Sequence, residues 1–441
     1  MRVTAFTDSG YFWLPGDDDQ SHQVAGTLAV SETGVVTLET FGYLSDGSLS
    51  LAQGSWSQAG SMQPRIFGYT RDRGAVTLID GIGTRSSLQA PATGALFASY
   101  TILAKFLLVG RHFGDHGPLF DQLTCKIDGL DEWLGVSGIT AVHDFDTHRA
   151  TITFEAPAPL PFQAGDDIEG RIAFGYSIPS PAPWATEAQV SQSAYIELSA
   201  LTPWTTEDVI NGSARMRDFL CLATDVPVAI TTLDGYLRDE DDEDSTGDRR
   251  ARRPVSIFFE SRQHSPDPAA VQPWSMNFAH RDLGNGLSDA LSNWFDLCQR
   301  WPQPTWLFFD ARYGDGVLQS DIQFLKVVES METLAPARGI GKNSELLKKV
   351  QRLAEPFADL LGIAGSEVAF AERVRATRNW YVHHDDRWKE QASDGSELLS
   401  LLWQCEALLI CHLTAFVLGD ADAAIRLLAD ARPMRRRIES A

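Results

Sequence analysis

Between Arg373 and His384 the chain reads RVRATRNWYVHH, with three arginines, an asparagine and two adjacent histidines in one short run. These are residue types that can move protons and bind phosphate. A neutral imidazole accepts a proton and an imidazolium returns one, and positioned proton transfer contributes about 10²–10⁴-fold to a rate. A guanidinium forks onto two oxygens of a phosphate and offsets charge that builds up in a transition state. RNA cleavage needs both actions: a base for the ribose 2′-hydroxyl, an acid for the leaving 5′-oxygen and a cation at the phosphorus. On a helix, Asn379 and His383 lie about 40° apart and share a face. Arg378 lies about 140° from His383, so its long side chain must reach round or act with a second copy across a two-fold axis. The catalytic candidates are Arg378, His383 and Asn379, with Asn379 orienting the imidazole or the phosphate. His384 and Arg375 are auxiliary candidates, and His383 is favoured over His384 because it shares the face of Asn379.

Other constellations are weaker. GIGTRS (Gly81–Ser86) lacks the Lys-Ser/Thr of a phosphate loop and is expected to be a turn. Arg111, His112, Asp115 and His116 offer no third ligand at a diagnostic metal spacing. The five cysteines, Cys125, Cys221, Cys298, Cys405 and Cys411, form no CxxC pair. Neither a metal nor another cofactor is therefore expected. The net charge of −22 opposes nucleic acid and anionic membranes at long range and excludes a general DNA coater. Residues 281–441 carry only −4 of it, from 19 Lys and Arg against 23 Asp and Glu. Lys348, Lys349 and Arg352 are the candidate RNA-binding residues, with Lys342 and the tail arginines Arg432, Arg435, Arg436 and Arg437 as further local positive charge.

Two halves must position these groups. Up to about residue 260, period-two runs broken by Gly, Pro, Asp and Ser predict antiparallel strands in a sandwich or barrel. TLAVSETGVVTLET (Thr27–Thr40) has the pattern of a hairpin around Ser-Glu-Thr-Gly, and a helix is expected near Thr205–Phe219. After about residue 283 the period becomes helical. Ser288, Ser320, Ser344 and Ser366 are expected to open four helices. Their stripes are Leu291, Trp294, Phe295, Cys298 and Trp301, then Ile322–Leu334, then Leu346–Leu360, and finally the helix through RNWYVHH. A fifth starts near Ser396 and a sixth spans Ala421–Ala431, giving an antiparallel bundle. The fold class expected is α+β multidomain: a mainly antiparallel, sandwich-like β domain over 1–280 and an all-α bundle over 281–441. The Pro-rich segment His264–Ser275 is the expected linker.

The acidic runs at Asp17–Asp19 and Arg238–Asp248 are expected to be solvated loops. Residues 397–419 are long and apolar enough to span a bilayer. Glu406 and His412 interrupt them, and Leu398, Leu402, Cys405, Leu409, His412 and Phe416 fall at helical spacing. A buried helix follows, with no membrane partner. Without a basic region and apolar core at the N-terminus, a cytoplasmic location is expected.

The motif RNWYVH, an Arg, a polar residue, three variable residues and a His on a late helix, resembles that of the HEPN superfamily. SNWFDLCQRWPQPTWLFF and DIQFLKVVESMETLAP resemble the earlier helices of HEPN proteins of the ApeA type. FASYTILAKFLLVGRHF and LFDQLTCKIDGLDEWLGVSGI are similar in character to that family's N-terminal domain. The resemblance implies a metal-independent endoribonuclease of bacterial anti-phage, abortive-infection defence, acting as a homodimer or higher oligomer through its HEPN domain. It implies catalysis by Arg378 and His383 with help from Asn379, leaving a 2′,3′-cyclic phosphate and a 5′-hydroxyl. Host RNA, with tRNA a plausible target, would be cut when a phage-derived protein trigger is sensed by the β half. An alternative from another class is a non-catalytic HEPN dimerisation scaffold carrying a lectin-like or peptide-binding β module. A sugar-active enzyme would need paired carboxylates facing one cleft, and Trp56, Trp133 and Trp184 are expected to be core rather than sugar platforms.

Overall fold

The computed structural model describes residues 1–16, 22–44, 62–89, 97–114, 117–179, 184, 186–238, 252–261, 271–314 and 319–440. Trp56, Asp115, His116, the acidic residues at 17–19 and 239–248, and residues 264–270 of the Pro-rich segment lie outside them. The chain divides into two compact units, one of residues 1–126, 198–213 and 229–261, the other of residues 127–197, 214–228 and 262–441. The first strands are β1 (Phe6–Trp13), β2 (Val24–Val30), β3 (Val36–Thr40), β4 (Met62–Thr70), β5 (Gly74–Gln89), β6 (Phe97–Val109) and β7 (Phe120–Ile127). They continue as β8 (Ile139–Asp144), β9 (Arg149–Phe154), β10 (Leu160–Gln163), β11 (Ile168–Ser177), β12 (Ser191–Trp204), β13 (Ile230–Leu237) and β14 (Val255–Phe259).

In the first unit, β1 to β6 form a closed antiparallel barrel. The pairs run β1–β2, β2–β3, β3–β6, β6–β5, β5–β4 and β4–β1, so no strand of the six is left as an open edge. Alternation aims Leu28, Val30, Val36 and Leu38 inward against Phe12, Ile66, Leu78 and Ile102, all at 0–1% exposure. The hairpin expected over Thr27–Thr40 is present, with Leu28 opposite Leu38 and Val30 opposite Val36. Its turn closes where Ser31 Oγ accepts the Val35 N–H at 3.0 Å and Gly34 takes φ +83°. A side chain at Gly34 would also meet the Phe259 carbonyl at 2.2 Å. GIGTRS is not a turn. It lies within β5, and the ladder to β6 shifts register between Gly83 and Arg85. A Cβ at Gly81 would stand 2.9 Å from Ile102 Cγ2, so the glycine makes room for a core side chain.

The helices are α1 (Leu130–Leu134), α2 (Thr206–Thr224), α3 (Leu287–Arg300), α4 (Pro302–Tyr313), α5 (Ser320–Leu334) and α6 (Leu346–Ala354). They continue as α7 (Glu367–His383), α8 (Asp386–Lys389), α9 (Gly395–Leu418), α10 (Ala421–Asp430) and α11 (Arg432–Ser440). In the second unit α9 is the central helix and packs against α3, α5, α10 and α11. Leu401, Leu402, Leu408 and Leu409 are each at most 2% exposed, so burial runs round the whole helix. Although α9 is long and apolar enough to cross a membrane, 78% of its most apolar window is buried inside the protein. Asp394 caps its N-terminus by accepting the Gly395 N–H at 2.7 Å, and Gly419 ends it at φ +68°. An aromatic cluster of Trp133, Phe219, Trp294 and Phe309 fills the same unit with edge-to-face contacts.

Several local expectations change. Ser288 does not cap α3: its Oγ accepts the Gln163 N–H at 3.0 Å, and Gly286 is the N-cap. Leu291, Trp294, Phe295 and Cys298 are buried as expected, but Trp301, at the end of α3, is 36% exposed. Gln319 rather than Ser320 precedes α5, and Ile322 is 44% exposed while Phe324 and Val327 are buried. The stripe Leu346–Leu360 is not one helix, because Pro356 turns the chain into a 3₁₀ turn at Glu355–Phe357. Ser366 does hold the N-cap of α7. Trp133 is core at 1% exposure, whereas Trp184 is 82% exposed.

Candidate functional site

One side of α7 is fixed by packing. Phe370, Ala371, Val374 and Thr377 recur at helical spacing and are buried. Three polar ties hold the same helix. Thr377 Oγ1 accepts the Ser393 N–H at 2.9 Å, Arg373 Nη2 donates to Gln404 Oε1 at 2.7 Å, and Tyr381 Oη donates to Asp394 Oδ1 at 3.3 Å. Burial first, then the Asp394 charge, pushes the Tyr381 hydroxyl above its ordinary value. With that face docked, the 378–379 and 382–383 positions turn away from the core.

Arg378 reaches round the helix within a single chain. Its Nη1 donates to Asn379 Oδ1 at 3.2 Å and lies 3.5 Å from His383 Nε2. A guanidinium can only donate, so in this contact Nε2 accepts and the proton of a neutral imidazole sits on Nδ1. Arg378 and Asn379 are half-buried and His383 is exposed. A guanidinium, an amide and an imidazole thus meet at the end of one helix, open to a ligand.

The two auxiliary candidates stand apart from that contact. His384 ends the helix in the left-handed region at φ 50°, ψ 34°, with its N–H on the Trp380 carbonyl at 2.8 Å. Its ring meets Trp380 edge-on at 5.9 Å. Arg375 lies over Trp388 at 5.2 Å, and its buried Nε has no hydrogen-bond partner. Of the candidate RNA-binding residues, Lys348 and Arg352 are exposed on α6, four residues apart. Lys349 is 8% exposed and turns inward, 4.0 Å from Glu332.

Further groups were not legible as site residues. Trp388 has Arg387 at 5.4 Å as well as Arg375, and Trp380 has Lys389 at 5.8 Å. Basic side chains interleaved with tryptophans suit unstacked bases on a charged backbone. The signal was present in the string WYVHHDDRWK, but Asp385 and Asp386 masked it. Away from α7, Arg312, Asp225, Glu406 and Arg437 form a buried ion network, each side chain at most 12% exposed. Arg437 Nη1 meets Asp225 Oδ2 at 2.7 Å, and Arg312 Nη1 meets Asp225 Oδ1 at 3.1 Å. Glu406 Oε2 is 3.5 Å from Arg312 Nε. Burial works against the Arg312 charge, but the facing acidic groups outweigh it and raise its pKa. The network lines a cavity of about 470 Å³ with Tyr313 and Trp403. Among the described residues no group of three or more His, Cys, Asp or Glu is placed to hold a metal ion.

Two family models match the chain. That of the ApeA N-terminal domain 1 covers residues 9–294, and that of the Apea-like HEPN domain covers residues 322–420. The second match contains all of α7. No curated protein and no solved structure matches.

Proposed function

We propose that this chain, which belongs to the ApeA family and carries its C-terminal HEPN domain, is a metal-independent endoribonuclease of anti-phage defence. HEPN domains are generally ribonucleases. The observation that carries the reading here is the contact of Arg378 with both Asn379 and His383 at the exposed end of α7.

The chemistry follows from those three groups. When a phosphodiester binds, its non-bridging oxygens take the guanidinium of Arg378, and His383 Nε2 loses the N–H it was accepting. That lone pair removes the proton from the ribose 2′-hydroxyl as the 2′-oxygen attacks phosphorus. The bond to the 5′-oxygen breaks, and that oxygen takes a proton from an imidazolium. The products are a 2′,3′-cyclic phosphate and a 5′-hydroxyl. Asn379 Oδ1 holds Arg378 in register before the substrate arrives. One imidazole cannot be both base and acid within one step, which favours a homodimer in which two α7 ends face one phosphate. Host RNA, tRNA being a suitable target, leads away over Trp380, Trp388, Lys389 and Arg387, with Lys348 and Arg352 as a second phosphate contact. The β half senses a phage-derived protein and releases the nuclease in the cytoplasm.

The test maps new 5′-hydroxyl ends in RNA from cells making wild type or His383→Ala, with and without phage. New ends with wild type alone, unchanged by a chelator with the purified protein, are expected. Identical end maps in both strains under productive infection would leave the dimerisation-scaffold reading in place.

A further inference from the structure

Arg338 is a half-buried cation with no counter-charge among the described residues. It follows α5 in a 3₁₀ turn, Ala335–Arg338, and its guanidinium lies 3.7 Å from the centroid of the Phe416 ring. Nη2 donates to the His412 carbonyl at 2.6 Å. Nε is buried with no hydrogen-bond partner, and Nη1 makes no hydrogen bond among the described residues. No carboxylate lies within ion-pair distance among those residues, in contrast to Arg312 and Arg437, which share Asp225 and Glu406. Burial pushes the Arg338 guanidinium down to about 10, which still leaves it charged at neutral pH. A partly desolvated charge without a counter-charge carries a cost that a bound anion would offset.

Arg338 also lines a cavity of about 400 Å³ between α3 and α9, a volume suited to a small organic molecule. Phe416, Leu297 and Trp301 give it apolar and aromatic walls. The other charges on the wall cancel, because Arg300 Nη2 holds Asp296 Oδ2 at 2.8 Å. The cavity therefore has one uncommitted positive charge at a wall and flat apolar surface around it. We propose that it binds a small organic anion, whose carboxylate or phosphate takes the free donors of Arg338 and whose flat body lies against Trp301 and Leu297. The same guanidinium is tied to α9 through His412, so the anion links α3 to the central helix. This site is separate from the end of α7 and does not depend on the ribonuclease reading.

The test uses the full chain in calorimetric titration and thermal unfolding, with benzoate, phenyl phosphate, inorganic phosphate and the neutral isostere benzamide. Benzoate or phenyl phosphate is expected to bind and to raise the melting temperature with concentration, while benzamide does neither. The better binder of the two says whether the natural group is a carboxylate or a phosphate. Arg338→Gln is expected to weaken binding at least about tenfold, the loss of one charge-assisted contact. Trp301→Leu should weaken the two aromatic probes and leave inorganic phosphate unchanged. Should Arg338→Gln fail to fold, Arg338→Lys decides, since it keeps the charge but loses the fork and must still weaken binding. Equal binding of benzoate and benzamide, unchanged affinity in the folded Arg338 variant, or no binding of any anion up to about 10 mM overturns the proposal.

Discussion

Replacing Arg378 by lysine separates what this residue does for the fold from what it does for the reaction. In the free protein Arg378 makes one hydrogen bond to Asn379 at 3.2 Å and one long contact to His383 at 3.5 Å, both on a half-buried side chain. Such contacts contribute up to about 1 kcal/mol each to stability at this exposure. Lysine keeps the charge and much of the stem, so Arg378→Lys should shift the melting temperature by no more than about 2–4 °C. In the transition state the same side chain faces a phosphorane whose negative charge has grown. Losing a fork there costs about 2.7–4 kcal/mol, or about 10²–10³ in kcat. The assay is single-turnover cleavage of a labelled RNA by purified wild type and variant, alongside a melting curve and a measure of oligomer size. A reaction slower by about 10²–10³ with an intact melting curve is the expected pattern. If Arg378→Lys cleaves within about threefold of wild type, less than the loss of one weak contact, Arg378 does not touch the phosphate and the mechanism fails.

Three other perturbations test separate parts of the molecule. Trp388→Ala removes a stacking surface between Arg375 and Arg387 and should weaken single-stranded RNA binding by about 1–3 kcal/mol, leaving single-turnover cleavage at saturation unchanged; equal binding by filter retention would remove Trp388 from the RNA path. Glu406→Ala leaves Arg312 and Arg437 sharing Asp225 alone, and should cost about 3–5 kcal/mol in urea unfolding; a cost below about 1 kcal/mol, that of a surface pair, would show that solvent reaches the network. His412 donates from Nε2 to the Leu353 carbonyl at 2.9 Å, and burial, then Arg338, pushes it down to about 3. Unfolded histidine titrates near about 6.5, so the unfolded chain binds the additional proton. The contribution is intact above about pH 6.5 and is lost as pH falls towards about 3, by about 1.4 kcal/mol per unit. His412→Leu should therefore flatten the decline in urea midpoint between about pH 6 and pH 5, and parallel declines in both proteins would rule this out.

What could be read from the sequence was what lies close along it. Arg378, Asn379 and His383 lie within a span of five positions on one helix, so their shared end follows from the helical repeat alone. The repeat could not supply the reach of Arg378, since the 140° separation of Cβ directions says nothing about a long flexible side chain that folds back to 3.5 Å. Lys349 was legible in principle. It stands three residues after Leu346 and four before the buried Leu353, on the apolar stripe of α6, and its stem follows that stripe inward. Closure of the barrel was not legible, because β4 pairs with both β1 and β5 and only the second pairing is local. The ion network was hidden for the same reason: Asp225 and Arg437 are 212 residues apart and meet at 2.7 Å. Yet both polar interruptions of the apolar helix announced something. Glu406 marked the place where two arginines are neutralised, and the His412 ring is held by the Leu353 carbonyl. A charged or titratable residue inside an otherwise apolar core helix persists only with a partner, so the interruption predicts that a partner exists. For Glu406 and for His412 that partner is in the chain. For Arg338, beside His412, the described residues provide a carbonyl and an aromatic face but no carboxylate, which is the physical reason to look for an anion in solution.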